Sequence, residues 1–500
     1  MLKILNSAQI KEWDAFTIKN EPIASIDLME RACQAFTKWF TEQFDATKKI
    51  GIVCGTGNNG GDGLGIARML HDLGFGVQVW ITKDTVLESA DFKTNKERLI
   101  GKLTTAELSG TIAYNQFDDC DILIDGVFGS GLNRPVEGLY VQVVRAINDS
   151  PATRVCIDIP SGMFADQATN TPCVKADFTV TFQAPKLGFL LPENAERVGE
   201  LVVVDIGLNS RFLKDVDCDY YMTDRKSIRK RIKGRTKFQH KGDFGKGLLV
   251  AGSYGKMGAS VLAARAAMRS GIGLLTVHVP KKGYDIIQTS LPEAMAQVDK
   301  GDEFFSGAEN VGEFSAIGIG PGLGTGKPTI EGVRELLEKA EGKPMVIDAD
   351  GLNIISANRE LLYLISKESI LTPHPGEFRR LVGDWENDFE KLEMGKQLAN
   401  QIGGVVVLKG AYSAIFNHNG RVYFNSTGNP GMATGGSGDV LTGILTALLA
   451  QGYTAFDAAL VGVYIHGAAG DLAAFEKGVY GLIASDIVEN IPAAFRQFQV

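Results

Sequence analysis

Short apolar runs separated by segments of helical period constrain this chain most, because the alternation appears twice. Residues 50–54, 77–81, 122–124, 155–157, 178–182 and 201–204 are apolar runs, several continuous rather than alternating, as in strands buried on both faces of a parallel sheet. Segments such as 63–73 and 140–148 between them carry helical period. Strand–helix alternation of this kind predicts a doubly wound α/β layer. After residue 209 the pattern breaks. It resumes with runs at 247–251, 274–279, 316–319, 345–347 and 405–408, and with helices rich in small residues at 259–269, 439–449 and 455–469. Two α/β domains are therefore expected, 1–210 and 236–500, joined by a basic linker at 211–235. Eight Lys and Arg residues lie between Arg225 and Lys237; they read as a solvated linker or helix face, or as a nucleic-acid patch.

The net charge of -8 argues against a general nucleic-acid binder. Six cysteines without a Cys-x-x-Cys pair form neither a disulfide framework nor a zinc site. Residues 1–14 lack a basic stretch followed by an apolar core, and no run approaches the length of a membrane span. No signal peptide and no membrane are expected, and the cytoplasm is the expected compartment.

Gly55-Thr56-Gly57-Asn58-Asn59-Gly60 follows the first strand and continues through Gly61-Asp62-Gly63 into a helix. Glycines at this spacing let backbone approach a pyrophosphate at a helix N-terminus. The acidic residue that ends the second strand of an NAD dehydrogenase is replaced by Trp80-Ile81-Thr82-Lys83, with Asp84 coming late, so a standard dehydrogenase is not expected. Asn58, Asn59 and Asp62 offer polar groups beyond what phosphate needs, or form Asx turns. Asp125-Gly126-Val127-Phe128-Gly129-Ser130-Gly131 and Asp158-Ile159-Pro160-Ser161-Gly162 follow further strands, so the loops converge on one crevice. Asp125, Asn59 and Ser161 offer hard oxygen ligands for a cation. Asp158 and Lys186 make an acid–base pair or a plain salt bridge.

In the second half, Gly435-Gly436-Ser437-Gly438-Asp439 precedes an apolar helix. Backbone N–H groups at a helix start form an anion hole, and a carboxylate beside it can take a proton from an attacking hydroxyl. The bland alternative is a glycine cap. Gly320-Pro321-Gly322-Leu323-Gly324-Thr325-Gly326-Lys327-Pro328 is not a P-loop, since prolines stand at the leading Gly and at the Ser/Thr positions; a Gly-rich turn against ligand is expected instead. His374 follows a strand at Ile370, as a ligand contact or as a structural residue. Lys409 follows the run 405–408, where it meets nucleotide phosphate or is a surface lysine.

Asn58-Asn59-Gly60-Gly61-Asp62-Gly63, the Asp125 and Asp158 loops and Thr179-Val180-Thr181-Phe182-Gln183-Ala184-Pro185-Lys186 resemble the NAD(P)HX epimerase family over residues 1–210. That resemblance implies a Rossmann-like three-layer fold that binds hydrated NAD(P)H and a potassium ion. It implies substrate contacts from Asn58, Asn59, Gly60, Gly61 and Asp62, from Ser130, Gly131, Leu132, Asn133, Arg134 and Pro135, and from Asp158. Asp158 and Lys186 then serve the proton transfers at nicotinamide C6, and Asn59, Asp125 and Ser161 hold K+. Residues 225–500 resemble the ADP/ATP-dependent NAD(P)HX dehydratase family, of ribokinase-like fold. The residues that carry this are Lys241-Gly242-Asp243-Phe244-Gly245, Ala251-Gly252-Ser253, Gly320 to Gly324, Asp348-Ala349-Asp350-Gly351-Leu352-Asn353, His374-Pro375-Gly376-Glu377 and Gly435 to Asp439. The resemblance implies that Ala259, Gly322, His374 and Asp439 contact hydrated NAD(P)H. It implies that Lys409, Gly410, Ala411, Tyr412, Ser413 and Gly438 bind the nucleotide.

The activity implied is repair of hydrated NAD(P)H, by epimerisation of its R and S forms and by ADP-dependent dehydration of the S form, with Asp439 as catalytic base and Mg2+ assisting. The expected partners are NADHX, NADPHX, ADP and further copies of this chain, with no nucleic acid. Two rival readings are a ribokinase-type kinase of a small alcohol and a non-enzymatic module of RNA metabolism.

Overall fold

In the first series of strands, successive side chains go to opposite faces. Ile50, Ile52 and Cys54 join one apolar cluster with Ile122, Ile124, Val155 and Ile157, whereas Val53, Leu123 and Cys156 join another. This is the two-residue period of strands covered on both sides. The computed structural model of the protein describes residues 1–83, 87–340 and 342–498; Asp84 lies outside the described residues.

The chain forms two compact units, one of Lys3–Cys218 with Asn387–Phe389, the other of Met1–Leu2, Asp219–Glu386 and Glu390–Val500. The amino-terminal unit holds β1 (Lys49–Cys54), β2 (Gly76–Thr82), β3 (Thr105–Leu108), β4 (Ile122–Gly126), β5 (Thr153–Ile157), β6 (Phe178–Phe182) and β7 (Glu200–Val204). They pair in the order β3-β2-β1-β4-β5-β6-β7, all parallel. Helices Ser25–Gln43 and Asn58–Asp72 supply one face of the core and helix Leu139–Asp149 the other, which gives the Rossmann-like three-layer arrangement. Strand order reverses between β1 and β4, where ligands of such sheets bind. Strand β3 is absent from the sequence reading because it is short and three of its four residues are exposed.

Helix Asn58–Asp72 begins five residues before the expected start at residue 63. Glycine disfavours a helix interior, yet here the close approach of neighbouring backbone demands it. A Cβ on Gly60 would stand 1.8 Å from the Gly55 carbonyl oxygen, and one on Gly63 2.7 Å from Cys54 Sγ.

The carboxy-terminal unit contains β8 (Tyr220–Met222), β9 (Lys246–Val250), β10 (Leu274–Val279), β11 (Met295–Val298), β12 (Ala316–Ile319), β13 (Met345–Ile347), β14 (Ile370–Leu371), β15 (Val405–Leu408), β16 (Ala414–Asn417) and β17 (Val422–Phe424). Their order is β8-β17-β16-β15-β14-β13-β12-β9-β10-β11. From β11 to β15 the pairs are parallel, and β16 and β17 return antiparallel. Helix Ser437–Ala450 crosses helix Met257–Arg269 so closely that a Cβ on Gly443 would lie 2.0 Å from the Ala263 carbonyl oxygen.

Two sequence expectations need correction. Helix Ala455–Lys477 is long and apolar enough to cross a membrane by length and composition, although no such run was expected. Most of it is buried inside the protein, 67% of its most apolar window, and its small residues Ala458, Ala459 and Gly462 pack in the core. Residues 211–235 are also engaged rather than merely solvated. Lys233 Nζ donates to the Gly452 carbonyl at 2.6 Å and lies 4.6 Å from the Tyr453 ring centroid. Arg235 stacks 3.8 Å from the Phe244 ring centroid and bonds Gln451 Oε1 at 3.1 Å, and Arg231 pairs with Asp457 at 2.9 Å. Lys233 and Arg235 thus gather at the carboxyl end of helix Ser437–Ala450, the negative end of its dipole.

Candidate active sites

Loops at the carboxyl ends of β1, β4, β5, β6 and β7 wall a cavity of about 720 Å³. Asn58, Asn59 and Asp62 reach it from the start of helix Asn58–Asp72, and Ser130, Gly131, Leu132, Asn133, Arg134 and Pro135 form its rim. Asp158 and Lys186 line it as well. Gly60 and Gly61, expected among the substrate contacts, are not part of its wall: they face the Gly55 carbonyl and the Met29 side chain.

Asp158 and Lys186 are ion-paired through Asp158 Oδ1 and Lys186 Nζ. That oxygen also accepts from Thr181 Oγ1 and from the Phe182 N–H, each at 3.1 Å, and Lys186 donates to Thr181 Oγ1 at 2.6 Å. Lys186 is only 1% exposed, so the pair is held rigidly. Asp158 and Gln183, both on the cavity wall, have φ of 63° and 64°. Non-glycine residues in the left-handed region mark stored strain, which clusters at functional sites.

Sequence reasoning missed Lys11, Asp14 and Gln183, which also line the cavity. Nothing in the spacing of helix Ser7–Asn20 singles out Asp14. Burial pushes its carboxyl up to about 6; the Asp158 charge adds to this and Lys186 partly offsets it. Burial also holds Asp62 well above the carboxylate range, reinforced by Asp158, Asp14 and Asp91.

Beside the cavity, Asp125 is fully buried. Ser161 Oγ donates to Asp125 Oδ1 at 2.6 Å and Ser161 N–H to Oδ2 at 2.8 Å. The Phe128 N–H donates to Ser161 Oγ at 2.8 Å, and Asn59 Nδ2 to the Phe128 carbonyl at 2.9 Å. Burial raises the Asp125 carboxyl, and hydrogen bonds from Ser161 and Val127 oppose this. Asn59, Asp125 and Ser161 thus meet in one buried cluster.

In the carboxy-terminal unit, Asp348 after β13 and Lys409 after β15 approach the first turn of helix Ser437–Ala450. That helix starts two residues before the expected start at 439. The Ser437 N–H donates to the Thr434 carbonyl at 3.4 Å, and the N–H groups of Gly438 and Asp439 lie in the first turn, where a helix has no acceptors of its own. A Cβ on Gly438 would stand 3.4 Å from Lys409 Nζ and 3.7 Å from Asp348 Oδ2. Lys409 Nζ donates to Asp348 Oδ1 at 2.7 Å, and Thr442 Oγ1 holds Asp348 Oδ2 at 2.7 Å. Burial pushes Asp439 up to about 6; the Asp348 charge adds, Lys409 opposes and Asp350 adds again.

His374 caps helix Pro375–Val382, its Nδ1 accepting from the Gly376 and Glu377 N–H groups at 3.0 and 3.3 Å. Its side chain remains half exposed. Gly322 meets Ala259, whose Cβ would lie 3.2 Å from a Cβ on the glycine. The neighbouring Gly324 N–H donates to Asp350 Oδ2 at 2.7 Å. In the loop Lys409-Gly410-Ala411-Tyr412-Ser413, Ser413 Oγ accepts from the Gly410 N–H at 3.3 Å, and Tyr412 is partly buried. Asp348 and Thr442 received no role from the sequence, although Asp348 opens a motif directly after β13.

A dinucleotide-type cavity on one α/β unit and a phosphate-ready helix start on another define an enzyme with two centres. The NAD(P)H-hydrate dehydratase family profile matches residues 247–493, and the profile described as YjeF-related protein N-terminus matches residues 25–188. The chain is 36% identical to the bifunctional NAD(P)H-hydrate repair enzyme Nnr of Moorella thermoacetica, covering 99% of this chain and 97% of that one. With the enzyme of the same name from Escherichia coli the identity is 32%, covering 93% and 88%. A crystallised ADP/ATP-dependent NAD(P)H-hydrate dehydratase from Bacillus subtilis is similar at 32% identity and TM-score 0.49, covering 56% of this chain and 99% of that one. A ribokinase-like superfamily protein from Enterococcus faecalis matches at 25% identity and TM-score 0.50, covering 57% and 98%. The chain belongs to the family of bifunctional NAD(P)H-hydrate repair enzymes, and its carboxy-terminal unit has the ribokinase-like fold.

Proposed function

We propose that this chain repairs hydrated NAD(P)H. The unit of Lys3–Cys218 interconverts the R and S epimers, and the unit that begins at Asp219 dehydrates the S epimer at the expense of ADP, releasing AMP and phosphate. The observation that carries this reading is Asp439, set among helix N–H donors and beside Lys409. Asp439 takes the proton of the C6 hydroxyl as that oxygen attacks the β-phosphoryl group of ADP. Backbone donors in the stretch Gly435 to Gly438, with Lys409, stabilise the charge that develops in transfer. AMP departs; loss of a C5 proton and of phosphate from C6 then restores the nicotinamide double bond. Ala259, Gly322 and His374 contact the hydrated nicotinamide nucleotide, and Lys409 to Ser413 with Gly438 hold ADP. Magnesium bound with the nucleotide, which keeps waters and takes few protein ligands, would supply charge neutralisation there.

In the amino-terminal unit, Asn58, Asn59, Asp62 and the rim from Ser130 to Pro135 bind the substrate, and Asp158 with Lys186 handles protons at C6. Asn59, Asp125 and Ser161 suit a potassium ion. Their oxygens are hard donors, and the buried Asp125 carboxylate is held by neutral hydrogen bonds alone. The ion would supply the counter-charge that a buried carboxylate needs.

The test is recovery of reduced-nicotinamide absorbance from mixed NADHX epimers, with ADP and with ATP in parallel and magnesium present. Full recovery with ADP is expected. No recovery with either nucleotide overturns the reading. A stable phosphoester product would instead favour a small-molecule kinase.

A further inference from the structure

One partly buried carboxyl in the amino-terminal cavity has no part in the chemistry above. Asp14 comes to the cavity from helix Ser7–Asn20, not from a strand-end loop. That helix is pinned in place. Trp13 Nε1 donates to the Asn209 carbonyl at 2.9 Å, Thr17 Oγ1 accepts from the Asn209 N–H at 3.0 Å, and both residues are buried. Leu208, next to that anchor, lines the same cavity. The charged groups that face Asp14 are Asp158 and Lys186 from the β5 and β6 loops, Asp62 from helix Asn58–Asp72, Lys11 from its own helix, and Arg134 and Glu137 from the rim.

Inversion of a carbinolamine carbon such as C6 needs two proton-handling groups, one for the oxygen that leaves and one for the oxygen that arrives. The Asp158–Lys186 pair supplies one. We propose that Asp14 is the second acid–base group of epimerisation, acting on the face of C6 opposite to the one served by Asp158. This rests on the epimerase reading of the cavity. The C6–O bond breaks as Asp14 gives its proton to the departing oxygen, which leaves as water, while the N1 lone pair forms a C6=N1 bond. A water adds to the other face of C6, and Asp158 accepts its proton. The balance is one water out, one water in and one proton moved from Asp14 to Asp158. The reverse epimerisation runs the same steps backwards.

The pair therefore works with one shared proton, and both directions have the same bell-shaped pH profile. Burial, with the nearby Asp158 adding to it, already holds Asp14 at about 6. The descending limb, where the shared proton is lost, accordingly falls near that pH.

The experiment measures interconversion of purified R and S NADHX by the full chain across pH 5 to 9, without nucleotide. Asp14→Asn is expected to lower kcat about 100-fold with KM nearly unchanged, and to abolish the descending limb. An unchanged KM for interconversion reports that the cavity is folded, and dehydration of the S epimer reports that the other unit is intact. Asp14→Glu keeps a titrating carboxyl and is expected to recover part of the rate together with the limb. Wild-type kcat in Asp14→Asn overturns the proposal, as does a slowed Asp14→Asn that keeps the limb, or an Asp14→Glu no faster than Asp14→Asn. A wild-type chain that fails to interconvert the epimers at all overturns instead the epimerase reading on which the proposal stands.

Discussion

The two centres carry the same electrostatic arrangement on unrelated backbones. In each, one aspartate is pushed up to about 6 by burial and by a neighbouring carboxylate that is itself paired with a lysine: Asp14 beside Asp158–Lys186, and Asp439 beside Asp348–Lys409. What differs is the backbone around the raised acid. Asp14 sits midway along helix Ser7–Asn20, away from either helix end, so no helix dipole favours its ionised form. Asp439 stands in the first turn of helix Ser437–Ala450, where the positive end of the dipole does favour it. In the proposed mechanisms the same shifted carboxyl serves as a proton donor in one setting and as a base in the other.

The largest test of that contrast is Asp439→Asn. It should lower dehydration of the S epimer about 1000-fold while R–S interconversion continues, read from NADH recovery and epimer ratio in one reaction. Equal loss of both activities would mean that the centres are not independent.

Next comes pH. A base must be ionised, so kcat/KM for dehydration should rise with pH through about 6 and level off above it. Epimerisation should decline over the same range. Parallel profiles would dissolve the distinction between donor and base.

Removing each lysine compares the buried pairs. Lys186→Met strands a carboxylate beside a site that is 1% exposed and should cost the amino-terminal unit about 3 kcal/mol, by urea unfolding. Lys409→Met, at a side chain 22% exposed, should cost less than that. Glycines separate in the same way. Gly60→Ala drives a methyl into the Gly55 carbonyl and should unfold its unit. Gly438→Ala meets only ordinary contacts, so it should leave the fold intact while raising KM for ADP.

The smallest effect is on stability. A carboxyl raised in the folded state favours folding most when protonated, at low pH, and that contribution is lost as pH rises through about 6. At pH 7.5 Asp439→Asn should therefore melt slightly above the wild type, and the gain should vanish near pH 4.

Much of the fold is legible in the sequence because continuous apolar runs have one use in a soluble α/β layer. Residues 178–182, 274–279, 316–319, 345–347 and 405–408 coincide with β6, β10, β12, β13 and β15. Strands β3, β8, β11, β16 and β17 escape notice because they are short, or because exposed residues interrupt their pattern. Residues on glycine-flanked loops, such as Asp158 and Asp439, are visible because glycines after an apolar run mark strand-end turns and helix starts, where ligands can approach backbone. Asp14 is invisible for the opposite reason. Its helix looks ordinary, and only tertiary packing against Asn209 carries it to the cavity.

The basic stretch between Arg225 and Arg235 bears on how such a two-headed enzyme can be divided. Strand β8, helix Arg225–Arg229 and the arginines and lysines that follow are bound into the unit that begins at Asp219. A gene split at residue 236 would leave a bare strand edge on β17 and helix ends stripped of their cations, inviting aggregation. A gene split just before Asp219 would keep β8 and helix Arg225–Arg229 with the sheet and helices they bind.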